Sequence, residues 1–250
     1  MRKFDLGGTW RMSGNGYAVE GQIPGSVYSF LHVDNPILPD PHVADNEDAY
    51  IALMDHDFTF ERTFPGVMGK NITLVFEGLD TLCSVYLNGT HVADTDNMHL
   101  RYEFDITELV REHNELRVVC HSPTKYIREQ DAKSHLFGAT DCMRGYPHLR
   151  KAHCMMGWDW GPRLPDAGIW RDVYLLQHNS SGRISDVRVT QRHENGRVFL
   201  TPTMEFAGQG TPEFWLTAPD GSVTALEVGK ETEVQTPQLW WPNGLGEQPL

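Results

Sequence analysis

Ser84-Val85-Tyr86-Leu87-Asn88-Gly89-Thr90-His91-Val92-Ala93 is the stretch on which the fold class turns. Asn-Gly is the dipeptide that best accepts positive φ at both central positions of a two-residue hairpin. Residues 84–87 therefore read as an outgoing strand and 90–93 as its return. Just upstream, Asn71-Ile72-Thr73-Leu74-Val75-Phe76-Glu77 sets Ile72, Leu74 and Phe76 on one face, the period-2 pattern of a half-buried strand. Downstream, Leu116, Val118 and Cys120 alternate with Arg117 and Val119 in the same way. Further strands are expected over 57–64, 171–177, 185–191, 198–206 and 213–218. Helical signals are few: Thr107-Glu108-Leu109-Val110-Arg111 reads as one capped turn, and 125–135 as a short polar helix. With 23 glycines and 15 prolines punctuating 250 residues, short strands and turns outnumber long helices. The expected fold class is all-β, a sandwich.

A small polar cluster, Asn179-Ser180-Ser181-Gly182, separates two apolar strands and reads as a domain boundary. The expected organisation is one domain over 1–180 and a second over 181–250. In the second, strands divided by Glu194-Asn195-Gly196, Gly208-Gln209-Gly210 and Pro219-Asp220-Gly221 recur at roughly the 8–12-residue spacing of an immunoglobulin-like sandwich. Such a domain takes roughly 100 residues, so the second one reads as cut short.

Composition excludes several functions. A net charge of −13 repels nucleic acid and anionic membrane surfaces, so neither is an expected partner. No stretch approaches the roughly 20 apolar residues of a membrane span. Met1-Arg2-Lys3-Phe4-Asp5-Leu6-Gly7-Gly8 carries two basic residues with no apolar run behind them, unlike a secretory leader. The four cysteines, Cys83, Cys120, Cys142 and Cys154, contain no CxxC and are too sparse for a disulfide scaffold. Free thiols in the cytoplasm are the expectation. Cys142, His148, His153 and Cys154 match no standard zinc spacing, so no metal is expected. There is no phosphate-cradling glycine loop and no GxSxG elbow. The sequons at Asn71, Asn88 and Asn179 are three-residue patterns of the kind that arise by chance.

The unusual chemistry lies in Gly157-Trp158-Asp159-Trp160-Gly161-Pro162-Arg163-Leu164-Pro165. Glycine and proline break any strand there and fix an irregular loop. Two readings of its large side chains stand. Both tryptophans are sandwich core and Asp159 caps a turn, or the three side chains bind a sugar. An indole covers the apolar C–H face of a sugar ring, and a carboxylate accepts hydroxyl protons from its edge.

The run Tyr146-Pro147-His148-Leu149-Arg150-Lys151-Ala152-His153-Cys154-Met155-Met156, continuing through Gly157-Trp158-Asp159-Trp160-Gly161-Pro162, resembles the N-terminal domain of β-mannosidases of glycoside hydrolase family 2. So do Ala167-Gly168-Ile169-Trp170-Arg171-Asp172-Val173, Ile23-Pro24-Gly25-Ser26-Val27, Asp45-Asn46-Glu47-Asp48, Glu61-Arg62-Thr63-Phe64, Phe76-Glu77-Gly78-Leu79-Asp80-Thr81, Tyr86-Leu87-Asn88-Gly89 and Asn97-Met98-His99. Leu239-Trp240-Trp241-Pro242-Asn243-Gly244 resembles that family's second-domain motif.

The resemblance implies a jelly-roll sugar-binding domain followed by an incomplete immunoglobulin-like sandwich, with the chemistry on a (β/α)8 barrel outside these residues. It implies retaining hydrolysis of terminal non-reducing β-D-mannose by two glutamates of the barrel, without a cofactor. No catalytic residue is then expected in this chain, which is expected to be inactive alone, and the implied partners are a β-mannoside oligosaccharide and the missing barrel. By resemblance, Trp158, Asp159 and Trp160 line the sugar subsite, Asp159 holding hydroxyls and Trp158 shaping the pocket. Arg150 and Lys151 also match, as sugar contacts or as part of a buried salt bridge. Asn46-Glu47 imitates the pair that carries the acid/base in such enzymes, but its surroundings match the first domain, so Glu47 is not expected to be catalytic. The sequence departs from the family at His153, Cys154, Met155 and Met156, where a glutamine and an aromatic are usual; methionine accommodates such repacking. Alternatives are a stand-alone carbohydrate-binding module, or the same region of a β-galactosidase, β-glucuronidase or exo-β-glucosaminidase. The Trp158-Asp159-Trp160 loop separates mannosidase from the first two of these enzymes better than from the third.

Overall fold

The hairpin at Asn88-Gly89 is formed in the structure, a computed structural model that describes residues 2–32, 38–67, 69–159, 161–178, 182–208 and 210–248. Both turn residues take positive φ, 53° at Asn88 and 79° at Gly89, as a two-residue turn between twisted strands requires. The chain divides into two units, Met1–Asn179 and Ser180–Leu250. The first contains β1 (Arg2–Asp5), β2 (Gly8–Gly14), β3 (Tyr17–Ile23), β4 (Gly25–Ser26), α1 (Val27–Leu31) and α2 (Glu47–Leu53). There follow β5 (Phe58–Pro65), β6 (Ile72–Phe76), β7 (Cys83–Leu87), β8 (Thr90–Thr95), β9 (Tyr102–Asp105), β10 (His113–Cys120) and α3 (Pro123–Lys133). Two short 3-10 turns, Tyr146–His148 and His153–Met156, precede β11 (Gly168–Ile169) and β12 (Val173–Gln177).

These strands form a jelly-roll sandwich. One antiparallel sheet has the order β1-β12-β6-β9 and the other β3-β2-β5-β10-β7-β8, with β4 and β11 paired beside them. Alternation decides what lies between the sheets. Ile72, Leu74 and Phe76 of β6 share one buried cluster with Val173 and Leu175 of β12 and with Met12, Phe58, Phe60, Val85, Leu116 and Val118 of the facing sheet. The intervening residues Val75, Tyr174 and Leu176 form a separate small cluster on the other face. Cys83 and Cys120 stand opposite each other on β7 and β10, with sulfur atoms 3.3 Å apart; all four cysteines are free thiols.

Several elements carry weaker signals than those read from sequence. Strands β1, β2, β3 and β9, and helices α1 and α2, lie in segments without a long apolar period. The helix expected at 125–135 starts two residues earlier, because Ser122 accepts a hydrogen bond from Lys125 N (3.0 Å) and Pro123 occupies the first turn. The side chain of Asn88 is committed inside the fold, donating to Leu109 O (2.8 Å) and Asn114 Oδ1 (2.9 Å).

The second unit contains β13 (Gly182–Glu194), β14 (Arg197–Gly208), β15 (Phe214–Thr217), β16 (Val223–Leu226) and β17 (Thr232–Glu233). They pair as β13-β14-β17 and as the hairpin β15-β16, again antiparallel. Strands β13 and β14 run longer than the sequence pattern predicts, with a bulge between Ile184 and Asp186. Ile184, Val187, Val189, Trp215, Trp240 and Trp241 are all exposed in this unit.

Candidate functional site

Between the 3-10 turn His153–Met156 and β11 the chain leaves the sheets as an irregular loop. Gly157 starts it with φ +93°, and a side chain at that position would overlap the stem of Arg163, which crosses directly above it. Gly161 N then donates to Trp158 O (3.3 Å). Asp159 is exposed and Trp158 is 41% exposed, so Trp158 is not sandwich core. Among the described residues no ion pair or hydrogen bond reaches the Asp159 carboxylate. Trp160 lies outside the described residues.

Among the described residues both ends of the loop are held. Met143 N donates to Met156 O (2.9 Å) and the Cys142 thiol to Gly157 O (2.8 Å), fixing the entry. On the exit side, Arg163 N donates to Glu47 Oε2 (2.6 Å) and Arg163 Nε to Glu47 Oε1 (2.8 Å), with a further bond from Nη2. Burial pushes the Glu47 carboxyl up, but the Arg163 side-chain and backbone hydrogen bonds outweigh it and hold the group below the usual glutamate range. Glu47 is thus an ionised anchor at the start of α2, fully engaged by Arg163. Leu164 N reaches Met155 O (2.9 Å), and the Tyr28 hydroxyl lies against the carbonyls of Tyr50 (3.0 Å) and Pro165.

Beneath the loop lies a buried ionic cluster. The Lys151 side chain is wholly buried, with its ammonium on Asp80 Oδ2 and on Asp166 O (2.8 Å). Of the two roles left open for Lys151, the structure chooses the salt bridge; Arg150 beside it is exposed. Asp166 accepts from Ala167 N (2.8 Å) and Tyr28 N (3.3 Å). Burial pushes the Asp166 carboxyl up to about 6, against the opposing pull of these bonds, Ser26 and the Lys151 charge.

Other groupings have local tasks. Ser84, His121 and Asp57 form a row, Ser84 Oγ to His121 Nε2 2.9 Å and His121 Nδ1 to Asp57 Oδ2 3.0 Å. This has the order of a nucleophile triad, but the single Ser84 hydroxyl proton is donated to Asp94 Oδ1 at 2.6 Å. A serine so engaged offers no proton to a histidine base. His148 binds Ser134 O (2.9 Å) and His153 binds Leu149 O (2.9 Å), while Cys142 is engaged with Gly157. Among the described residues no cluster of metal-ligating side chains forms. Met156, one of the departures from the family pattern, is buried with Ile127 and Leu149 under the loop.

A solvent-facing carboxylate beside a half-exposed indole, on a loop held at both ends, is chemically able to hold a polar ligand with an apolar face. The family described as glycosyl hydrolase 2 galactose-binding domain-like matches residues 9–171, and the chain belongs to that family. A β-mannosidase B of Emericella nidulans is 32% identical over 251 residues, taking in 90% of this chain and 29% of that protein. A β-mannosidase of Mus musculus is 28% identical over 282 residues, 98% of this chain and 31% of that one. The crystal structure of a β-D-mannosidase from Dictyoglomus thermophilum is similar with a TM-score of 0.81 at 30% identity, covering 99% of this chain and 33% of that chain. The chain therefore spans just under a third of the length of the curated relatives it matches.

The sequence marks Trp158 and Asp159 as lying on an irregular loop from their setting among glycines and prolines, and their expected sugar-binding role comes from the family resemblance. The Glu47–Arg163 clamp carries no comparable signal, because its partners are 116 residues apart and each is an ordinary charged residue in its own segment.

Proposed function

We propose that this chain is the sugar-binding and supporting region of a retaining β-mannosidase that removes terminal non-reducing β-D-mannose from oligosaccharides. The carrying observation is the exposed Asp159 carboxylate next to Trp158 on a loop clamped at both ends. Asp159 accepts hydrogen bonds from sugar hydroxyls and Trp158 covers the C–H face of the ring; Trp160 is assigned to the same subsite by the family resemblance alone. A carboxylate suits this task because charge-assisted hydrogen bonds to hydroxyls are about twice as strong as neutral ones. The similarity to proteins named β-mannosidase supports mannose as the sugar.

In this reading the two catalytic carboxylates belong to polypeptide outside residues 1–250, and the chain alone turns nothing over. Residues 1–180 are the jelly-roll sugar-binding domain, and residues 181–250 are part of an immunoglobulin-like sandwich. The exposed Ile184, Val187 and Val189 of β13 support the second assignment, since an apolar strand face of that kind is normally covered.

The test uses the full-length protein and the 250-residue chain side by side on aryl β-mannoside, β-galactoside and β-glucuronide. The full-length protein is expected to favour the mannoside by roughly 100-fold or more in kcat/KM, and the 250-residue chain to show no turnover. Preference for another sugar overturns the substrate class. Turnover by the 250-residue chain that survives controls for host enzymes overturns the division of labour.

A further inference from the structure

We propose that the cavity beside Phe137 binds a second sugar ring, the one on the leaving-group side of the mannose held at Asp159; this rests on the function proposed above. The cavity measures about 380 Å³ and is lined by His135, Leu136, Phe137, Arg144, Tyr146 and Pro147, among others. Phe137 is 92% exposed, the largest exposure of any large apolar side chain among the described residues.

That exposure belongs to a held segment. Ala139 N donates to the Tyr146 hydroxyl (3.2 Å), and His148 Nε2 binds Ser134 O (2.9 Å), closing both sides of the loop. Gly138 lies flat on Tyr146: a side chain there would come within 2.6 Å of the ring and 3.3 Å of Pro147. Tyr146 is itself fixed edge-on against His153, ring centres 4.8 Å apart. His135 Nδ1 binds Asp131 Oδ1 (2.8 Å), and Arg144 Nε binds the other oxygen of the same carboxylate, so the polar rim is set as well. These contacts hold the loop with an aromatic face open to water.

The cavity also adjoins the sugar loop. Its lining includes Cys142, whose thiol binds Gly157 O, and the next residue, Met143, binds Met156 O. Asp159 follows Gly157 by two residues, at most about 8 Å along the chain. In the proposed arrangement the terminal ring rests at Asp159 and the next ring lies along this wall. The chemistry matches such a ring: Phe137 offers a face for C–H groups, while at the rim the remaining guanidinium N–H groups of Arg144 donate to hydroxyls and His135 Nε2 accepts from them. A single aromatic bordered by donors suits a sugar better than a protein, whose docking site requires a broader apolar core.

The test compares two substrates on the full-length protein and its Phe137→Ala and Phe137→Tyr variants. One is β-1,4-mannotriose; the other is β-mannosyl fluoride, whose leaving group has no ring to fill the cavity. The readout is the ratio of kcat/KM for the trisaccharide to that for the fluoride. Phe137→Ala is expected to lower this ratio roughly five- to tenfold, chiefly through KM for the trisaccharide, and Phe137→Tyr to restore it. An unchanged ratio overturns the second-ring site, including the case where both substrates suffer equally because Phe137 packs against another part of the polypeptide. If the wild-type protein turns over neither substrate, the underlying functional reading fails and this site with it; turnover of both with an unchanged ratio removes this site alone.

Discussion

Replacing Asp159 with alanine in the full-length protein is expected to lower kcat/KM for an aryl β-mannoside roughly ten- to hundredfold. The carboxylate is exposed, and among the described residues no other group engages it, so its bonds are available to the sugar. Hydrogen bonds to a charged group contribute about 1.5–3 kcal/mol each, which corresponds to that range for the loss of one. The loop does not depend on this side chain for its shape, because Arg163, Cys142 and Met143 hold it from either side. The loss is therefore one of binding and not of folding, and thermal unfolding should be unchanged. Glu47→Gln provides the contrast. It weakens one clamp and is expected to lose less than about tenfold, whereas removal of a general acid costs typically 100-fold or more. Wild-type kinetics for Asp159→Ala, or loss of turnover for Glu47→Gln with the fold intact, would contradict this assignment.

The second large effect is on stability. Lys151→Met leaves Asp80 buried without its cation, and removal of one partner of a buried pair costs about 3–5 kcal/mol. The uncapped carbonyl of Asp166 adds to the loss. For a domain of this size the change should lower Tm by roughly 6–20 °C in calorimetry of the full-length protein. A double variant, Asp80→Leu with Lys151→Met, removes both charges and should recover much of that loss, since apolar replacement of an entire buried pair is often neutral. A Lys151→Met protein within about 1 kcal/mol of wild type would show that the ammonium is not buried against Asp80.

The parts of this architecture that could be read from sequence are those whose cause is local. Asn88-Gly89 dictates its own turn, and Ile72, Leu74 and Phe76 dictate which face of β6 is buried. Helix α1 gave no such cue. Its five residues, Val27-Tyr28-Ser29-Phe30-Leu31, are too few to show a 3.6-residue period, and four of them are buried. Strand β3 alternates weakly because Ala18, Glu20 and Gln22 face outward opposite Tyr17, Val19 and Gly21, only one of which is buried. At the site, glycine and proline around Trp158-Asp159 announce an irregular loop. Its supports come from Glu47, Asp80 and Tyr28, distant along the chain and joined to it only by folding. Phe137 was invisible for the opposite reason: one aromatic residue before a glycine reads as an ordinary loop until the structure shows it held open beside Tyr146.

The most direct test of the central claim is a crystal structure of the full-length protein with a mannose-configured inhibitor. The account predicts Asp159 carboxylate oxygens within about 3 Å of the sugar hydroxyls, with the Trp158 ring against the inhibitor. An inhibitor bound with neither Trp158 nor Asp159 touching it would contradict it.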